Sequence, residues 1–182
     1  MSIIQPFPKE ARSYGMAPAR LGIVWHMAEG GNTANYLTSA AVKAKGNSSH
    51  IVIQLDGDIV GILPLRETAG SVNPKLIRED NDAAFVGYNG ELIRYGKAAA
   101  KSVLGVFYTN PNPYTIQVEI EGFARRGPNK VQRIACVLLS RELRATYPTI
   151  TGNLGHRDFQ NYKACPGKLI PFANMGGHGV FK

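Results

Sequence analysis

The stretch that most constrains this chain runs from Ser48 to Leu63. Ser48-Ser-His-Ile-Val-Ile-Gln-Leu55 reads as a strand, Asp56-Gly57 is a hairpin signal, and Asp58-Ile-Val-Gly-Ile-Leu63 reads as the returning strand. This is the clearest hairpin in the chain, so any fold must contain a sheet with an antiparallel pair. Three further segments supply strands. Leu21-Gly-Ile-Val-Trp25 is a short apolar run suited to burial, with His26 at its end. Tyr114 to Glu121 alternates with a period of two, which places Thr115, Gln117, Glu119 and Glu121 on one face and Ile116, Val118 and Ile120 on the other. Ile150 to Leu154 forms a last short strand that delivers His156.

Helical spacing alternates with these strands. Thr33 caps a helix carrying Tyr36, Leu37, Ala40, Ala41 and Ala44, which Gly46 and Asn47 end. Pro128 starts a second helix that runs to about Tyr147, with Val131, Ile134, Ala135, Leu138 and Leu139 as its apolar stripe and Cys136 in or beside it. Lys168 to Asn174 reads as a short final helix. Residues 1 to 20, with Pro8 and Pro18, read as an irregular leader. Between Pro64 and Pro113 the pattern weakens, and Asn73-Pro74, Asn110-Pro111 and Asn112-Pro113 mark turns around a possible helix near Glu91 to Leu104.

A chain of 182 residues with 44% hydrophobic and 19% charged residues buries one core, so residues 1–182 read as a single domain. No apolar run is long enough to span a bilayer, and the opening MSIIQPFPKEARSYG lacks the charged-then-apolar pattern of a secretory signal. Synthesis in the cytoplasm, with no membrane partner, is expected. The two cysteines, Cys136 and Cys165, are expected to remain unpaired, because a chain of this size needs no staple. A net charge of +8 and a pI near 9.6 favour polyanions such as nucleic acid or the carboxylates and phosphates of a bacterial envelope. Nucleic-acid binding rests on charge alone and ranks last. An ordinary solvated surface explains the charge equally well.

The chemistry concentrates in Gly155-His-Arg-Asp-Phe-Gln-Asn-Tyr-Lys-Ala-Cys-Pro-Gly167, which brings a histidine, a lysine and a cysteine into one turn-rich segment. An imidazole from His156 and a thiolate from Cys165 suit zinc, and zinc enzymes supply three protein ligands and leave the fourth position open. Strand ends are rigid places for ligands, which makes His26 the natural third. His50 is its rival, and His178 lies in a Gly-rich tail. Each of these residues also has an ordinary reading: His26 as a polar boundary residue, Glu119 or Glu121 as a solvent-facing strand acid, Lys163 as a surface lysine, Asp158 as a turn former. Arg125 and Arg126 read as a solvated loop or as contacts to an anionic polymer.

Taken in order, His26 after its apolar strand, Ser49-His-Ile-Val-Ile-Gln-Leu-Asp-Gly57, Tyr114-Thr-Ile-Gln-Val-Glu-Ile-Glu-Gly122 and Gly155-His-Arg-Asp…Lys-Ala-Cys-Pro-Gly167 resemble the type 2 N-acetylmuramoyl-L-alanine amidases. That family includes phage endolysins resembling the T7 lysozyme, AmpD and the peptidoglycan recognition proteins. The resemblance covers residues 20 to 172. It implies an α/β fold, a central mixed β-sheet flanked by helices, with a zinc ion at the floor of a groove. Position by position it implies His26, His156 and Cys165 as zinc ligands, Glu119 as the general base and Lys163 beside the cleaved carbonyl. His50 matches a motif histidine that is not a ligand. The bond implied is the amide between the lactyl group of N-acetylmuramic acid and L-alanine, and the partner is bacterial peptidoglycan, met by a monomeric phage or prophage lysin after release from the cytoplasm.

The chain also departs from the family. Ser49 stands where T7-like members have a tyrosine, which makes Glu119 the better candidate base. Thr68-Ala-Gly70 stands where many relatives have His-Ala-Gly, and the segment from about 71 to 113 is longer than in compact members and reads as an insertion. Three alternatives stand beside the lysin: an AmpD-like recycler of anhydro-muropeptides in the cytoplasm, a non-catalytic peptidoglycan-binding module, and a thiol hydrolase with Cys165 as nucleophile paired to His156.

Overall fold

A computed structural model describes residues 3–73, 83–86, 92–95, 110–150, 152–159, 165–167 and 169–176. The strands are β1 (Gln5–Pro6), β2 (Gly22–Met27), β3 (Ile51–Ile53), β4 (Ile59–Gly61), β5 (Ala83–Val86), β6 (Leu92–Tyr95), β7 (Thr115–Ile120) and β8 (Gly152–Gly155). The α-helices are α1 (Thr33–Leu37), α2 (Ala40–Lys45) and α3 (Lys130–Thr146). Six strands form one sheet in the order β1-β4-β3-β7-β2-β8, antiparallel at β3–β4 and parallel elsewhere. The fold is therefore α/β, a mixed sheet flanked by helices.

The Asp56-Gly57 hairpin forms as its residues require. Gly57 takes a positive φ of 92°, where a Cβ is disfavoured, and the amides of Gln54 and Gly57 donate to the carbonyls of Asp58 and Gln54. Its strands are shorter than their apolar runs. The leader is not wholly irregular, since Gln5–Pro6 adds an edge strand beside β4, where a proline costs no ladder bond.

Two helices replace the one expected after Thr33. Asn32 takes the cap position, and Ser39 caps α2 by accepting the Val42 amide at 3.4 Å. Gly46, with a φ of 86°, ends α2 as expected. In the segment from 71 to 113, Leu92–Tyr95 is a strand paired antiparallel with Ala83–Val86 in a separate two-stranded sheet, so the reading of a helix from Glu91 fails there. Ile93 and Tyr95, β-branched and aromatic, suit a strand equally well. The rest of that expected helix lies outside the described residues. The last helix is a 3-10 turn at Phe172–Met175, started at Pro171 and closed by Gly176.

The helix α3 begins two residues after Pro128, at a capping box in which Asn129 and Gln132 each accept the other's backbone amide, at 2.9 and 3.0 Å. Its buried face matches the expected stripe only in part, at Ala135 and Leu139 with Cys136 beside them. Ala135, Cys136, Leu139 and Leu143 pack on the sheet, whereas Val131, Ile134 and Leu138 are 46%, 53% and 48% exposed. Two polar side chains decide the rotation. Gln132 reaches down to the carbonyls of Gln54 and Glu121, and Ser140 reaches the carbonyl of Met175, so both are buried with their bonds made.

The sheet is covered on both sides. Ile23, Trp25, Met27, Ile51, Ile53, Ile116, Val118 and Ile120 meet α3, while Val52, Val60 and Ile62 meet Ala34, Leu37 and Val42 of α1 and α2. The polar face of β7 points to this second side and is itself mostly buried. Among the described residues no helix is long and apolar enough to cross a membrane.

Candidate functional site

Parallel pairing sets the site. His26 lies directly beside Glu119, and Trp25 beside Gly155, so the carboxyl ends of β2, β7 and β8 lie side by side and His156 follows at once from β8. Open α/β sheets hold ligands at this end of their strands. The Nδ1 atoms of His26 and His156 are 3.1 Å apart, with the rings edge to face at 71°. Donor atoms of His26, His156 and Cys165 all lie within 4.8 Å of one another.

Cys165 reaches the cluster through a loop bound closely to the turn at His156. Its carbonyl accepts the Arg157 amide at 3.0 Å, and Asp158 closes that turn by accepting the Gly155 amide at 2.7 Å. Glycine is needed at both ends of the segment. A Cβ on Gly155 would sit 2.5 Å from Pro166, and one on Gly167, where φ is 84°, would sit 2.4 Å from the Ala124 carbonyl oxygen. Cys165 Sγ accepts the Met27 amide at 2.9 Å and lies 3.8 Å from the Met27 carbonyl oxygen, which ties it to the end of β2.

The cluster fits a zinc ion. Tetrahedral coordination at about 2.0–2.1 Å to nitrogen and about 2.3 Å to sulfur places ligand atoms between three and four ångströms apart, within a small contraction of the spacing here. Two nitrogens of one type facing each other at hydrogen-bond distance share a single lone-pair direction that a cation satisfies for both. Cys165 and Cys136 are not joined in a disulfide.

The two acids of β7 divide. Glu121 is buried and accepts the amides of Thr33 at 2.6 Å and Leu55 at 3.3 Å, so its carboxylate caps α1 and steadies the hairpin. Glu119 lines the groove with His26, His156 and Cys165, and its carboxyl makes no hydrogen bond among the described residues. It keeps some solvent contact, yet the surrounding protein atoms desolvate it and push its pKa up to about 7. Of the two acids, Glu121 is the one turned away from solvent, while Glu119 stays partly exposed on the groove wall. Lys163 and His178 lie outside the described residues.

The rival histidine is occupied elsewhere. His50 Nδ1 accepts the Gln117 amide at 2.9 Å, its Nε2 lies 2.7 Å from the Glu67 carbonyl oxygen, and burial with Arg20 nearby lowers its pKa to about 3. It is a neutral structural residue. Ser49 is equally committed, donating to the Gln117 carbonyl at 2.7 Å. Thr68 and Gly70 line a neighbouring cleft rather than the groove.

Tyr36, Asn47, Asn73 and Arg125 also line the groove. Of these, the sequence offers only Arg125 as a contact to substrate; Tyr36 is legible as part of the α1 pattern, and Asn47 and Asn73 as a helix stop and a turn. Gln117 was legible only as a member of the polar face of β7, although its side chain bonds His26 directly at 2.8 Å.

A family model described as N-acetylmuramoyl-L-alanine amidase matches residues 16–168. Among solved structures, the chain is similar to the endolysin amidase LysCS from Clostridium intestinale URNW, at 21% identity and a TM-score of 0.63 over 94% of this chain and 91% of that one. An AmpD derivative gives 18% identity and a TM-score of 0.63 over 96% and 93%. The drosophila peptidoglycan recognition protein SD gives 17% identity and a TM-score of 0.53 over 90% and 84%. At these identities the structures show a shared fold. No curated protein matches the chain.

Proposed function

Since the chain belongs to the N-acetylmuramoyl-L-alanine amidase family, we propose that it is a zinc-dependent member of it, a single-domain phage or prophage lysin. Its reaction is hydrolysis of the amide between the lactyl group of N-acetylmuramic acid and L-alanine in bacterial peptidoglycan. The observation that carries this reading is the cluster of His26, His156 and Cys165, within 4.8 Å, at the groove floor beside Glu119.

In this reading His26, His156 and Cys165 hold the metal. Zinc held by these three side chains would supply Lewis acidity, polarising the amide carbonyl and lowering the pKa of a bound water towards about 7. Glu119 removes the water's proton and passes it to the leaving amine of L-alanine, a task suited to a carboxyl raised to about 7 that makes no hydrogen bond among the described residues. Lys163 donates to the developing oxyanion. The segment 71–113 is an insertion in this domain.

The test measures metal content and amidase activity on purified sacculi for the protein as isolated, after chelation and after zinc is restored. The expected result is about one zinc per chain, with new N-terminal alanine released only by the metallated protein. Zinc bound with no amide cut would favour a binding module. Activity that survives chelation but dies with iodoacetamide would favour the thiol hydrolase. LysCS and AmpD share the fold equally well, so soluble anhydro-muropeptide is assayed in parallel. A cytoplasmic recycler would cleave it and leave sacculi nearly intact.

A further inference from the structure

Gln117 is fully buried beneath the metal cluster, and every hydrogen-bonding group it carries is in use. Its amide donates to His50 Nδ1, and its carbonyl accepts from Ser49 Oγ at 2.7 Å and the His50 amide at 3.0 Å. The side-chain oxygen lies 2.8 Å from His26 Nε2. The side-chain nitrogen lies 2.6 Å from Thr115 Oγ1 and 3.5 Å from Asn112 Oδ1.

The direction of this chain is set at its far ends. Thr115 Oγ1 lies 2.8 Å from the Pro111 carbonyl oxygen, which can only accept, so the hydroxyl donates there and accepts from Gln117. Asn112 gives the same answer independently. Its oxygen accepts the Val72 amide at 3.1 Å and its nitrogen donates to the Val72 carbonyl at 2.7 Å, so the atom facing Gln117 is an acceptor. Both neighbours demand the NH2 end of Gln117, which leaves its oxygen facing His26. An amide oxygen cannot donate, so His26 Nε2 must carry the proton. In a neutral ring the lone pair then belongs to Nδ1, the atom 3.1 Å from His156 Nδ1.

We infer that Gln117 is a positioning residue, which locks His26 in the Nε2–H tautomer and so presents Nδ1 to the metal, with Thr115 and Asn112 setting the polarity of the lock. The inference rests on the proposed zinc reading for its purpose, though not for its geometry. A hydrogen bond to the far nitrogen of a ligating imidazole fixes ring orientation and raises ligand basicity, and its loss typically lowers metal affinity about 10- to 100-fold.

The experiment uses the full chain with Gln117→Met, which keeps the side chain's length and removes both polar ends, and Gln117→Glu, which keeps an acceptor for His26. Imidazole 15N chemical shifts of His26 are read in the metal-free protein, and zinc affinity is read by chelator competition. The expected result is the Nε2–H tautomer in the parent and in Q117E, a mixture in Q117M, and zinc affinity lower by about 10- to 100-fold in Q117M alone. An unchanged tautomer and unchanged zinc affinity in a folded Q117M would overturn the inference. Should Q117M not fold, Gln117→Leu, which also removes both polar ends, is expected to shift the tautomer the same way, and an unchanged tautomer in it would overturn the inference. If the parent binds no zinc, the proposed function fails while the tautomer comparison still decides the role of Gln117.

Discussion

The two faces of the central sheet are buried by different means. Towards α3, Ile23, Trp25, Ile116, Val118 and Ile120 meet Cys136, Leu139 and Leu143, and burial of apolar area does the work. On the other face His26, His50, Thr115 and Gln117 are as deeply buried and hold their places by directed hydrogen bonds, while Glu119 stays partly exposed on the groove wall. Apolar contacts are interchangeable if volume is kept, whereas a bonded polar group constrains its neighbour's proton. One face can drift in composition and keep the fold. The other specifies which atom faces the groove.

The sharpest way to break this comparison is Glu119→Gln, which removes a base without removing volume. Activity on sacculi is expected to fall about 10²- to 10⁴-fold, read as kcat with zinc content unchanged. The same variant tests the cost of burial. A carboxyl that titrates near 4.5 when unfolded and at about 7 when folded binds its proton more tightly in the native state. Metal-free parent protein should therefore lose stability as pH rises from 4.5 to 7 and remain at the lower value above it. Chelated E119Q should melt higher than the parent at pH 8 and nearly with it at pH 4, by calorimetry.

On the apolar face Leu139→Ala should cost about 2–5 kcal/mol in urea unfolding, since Leu139 is fully buried against the sheet. Zinc affinity of the folded fraction should stay within about twofold, a change of under half a kilocalorie. A large loss of affinity would mean that the two faces are coupled.

Glu121→Ala should cost about 1–2 kcal/mol by the loss of a cap on α1, with kcat nearly unchanged. Equal loss of activity in E119Q and E121A would erase the distinction between the two acids. The smallest effect belongs to the solvent side of α3. Ile134→Lys should change unfolding free energy by no more than about 0.5 kcal/mol, because Ile134 is 53% exposed.

Much of the fold was legible in the chain because its signals are local. The hairpin around Asp56-Gly57, the alternation from Thr115 to Ile120 and the glycine after α2 each depend on backbone conformations that neighbouring residues dictate. The rotation of α3 was not legible. Gln132 and Ser140 look like surface residues until the carbonyls they reach are in place. The same holds for Glu121, which local pattern cannot tell from Glu119, since both lie on one face two residues apart.

By itself the sequence determined which side chains are candidates for the chemistry and at which strand ends or turns they stand: His26 after an apolar run, His156 and Cys165 in one glycine-bounded segment, Glu119 on an alternating strand. Only the tertiary structure decided that these meet. Cys165 Sγ comes within 4.8 Å of the His26 and His156 nitrogens only because the parallel register of β2, β7 and β8 brings three separate segments to one edge. It also decided the proton on His26, through Gln117, Thr115 and a carbonyl at Pro111. The reason is physical: chemical identity belongs to a residue, while distance and hydrogen-bond polarity belong to pairs that only folding creates.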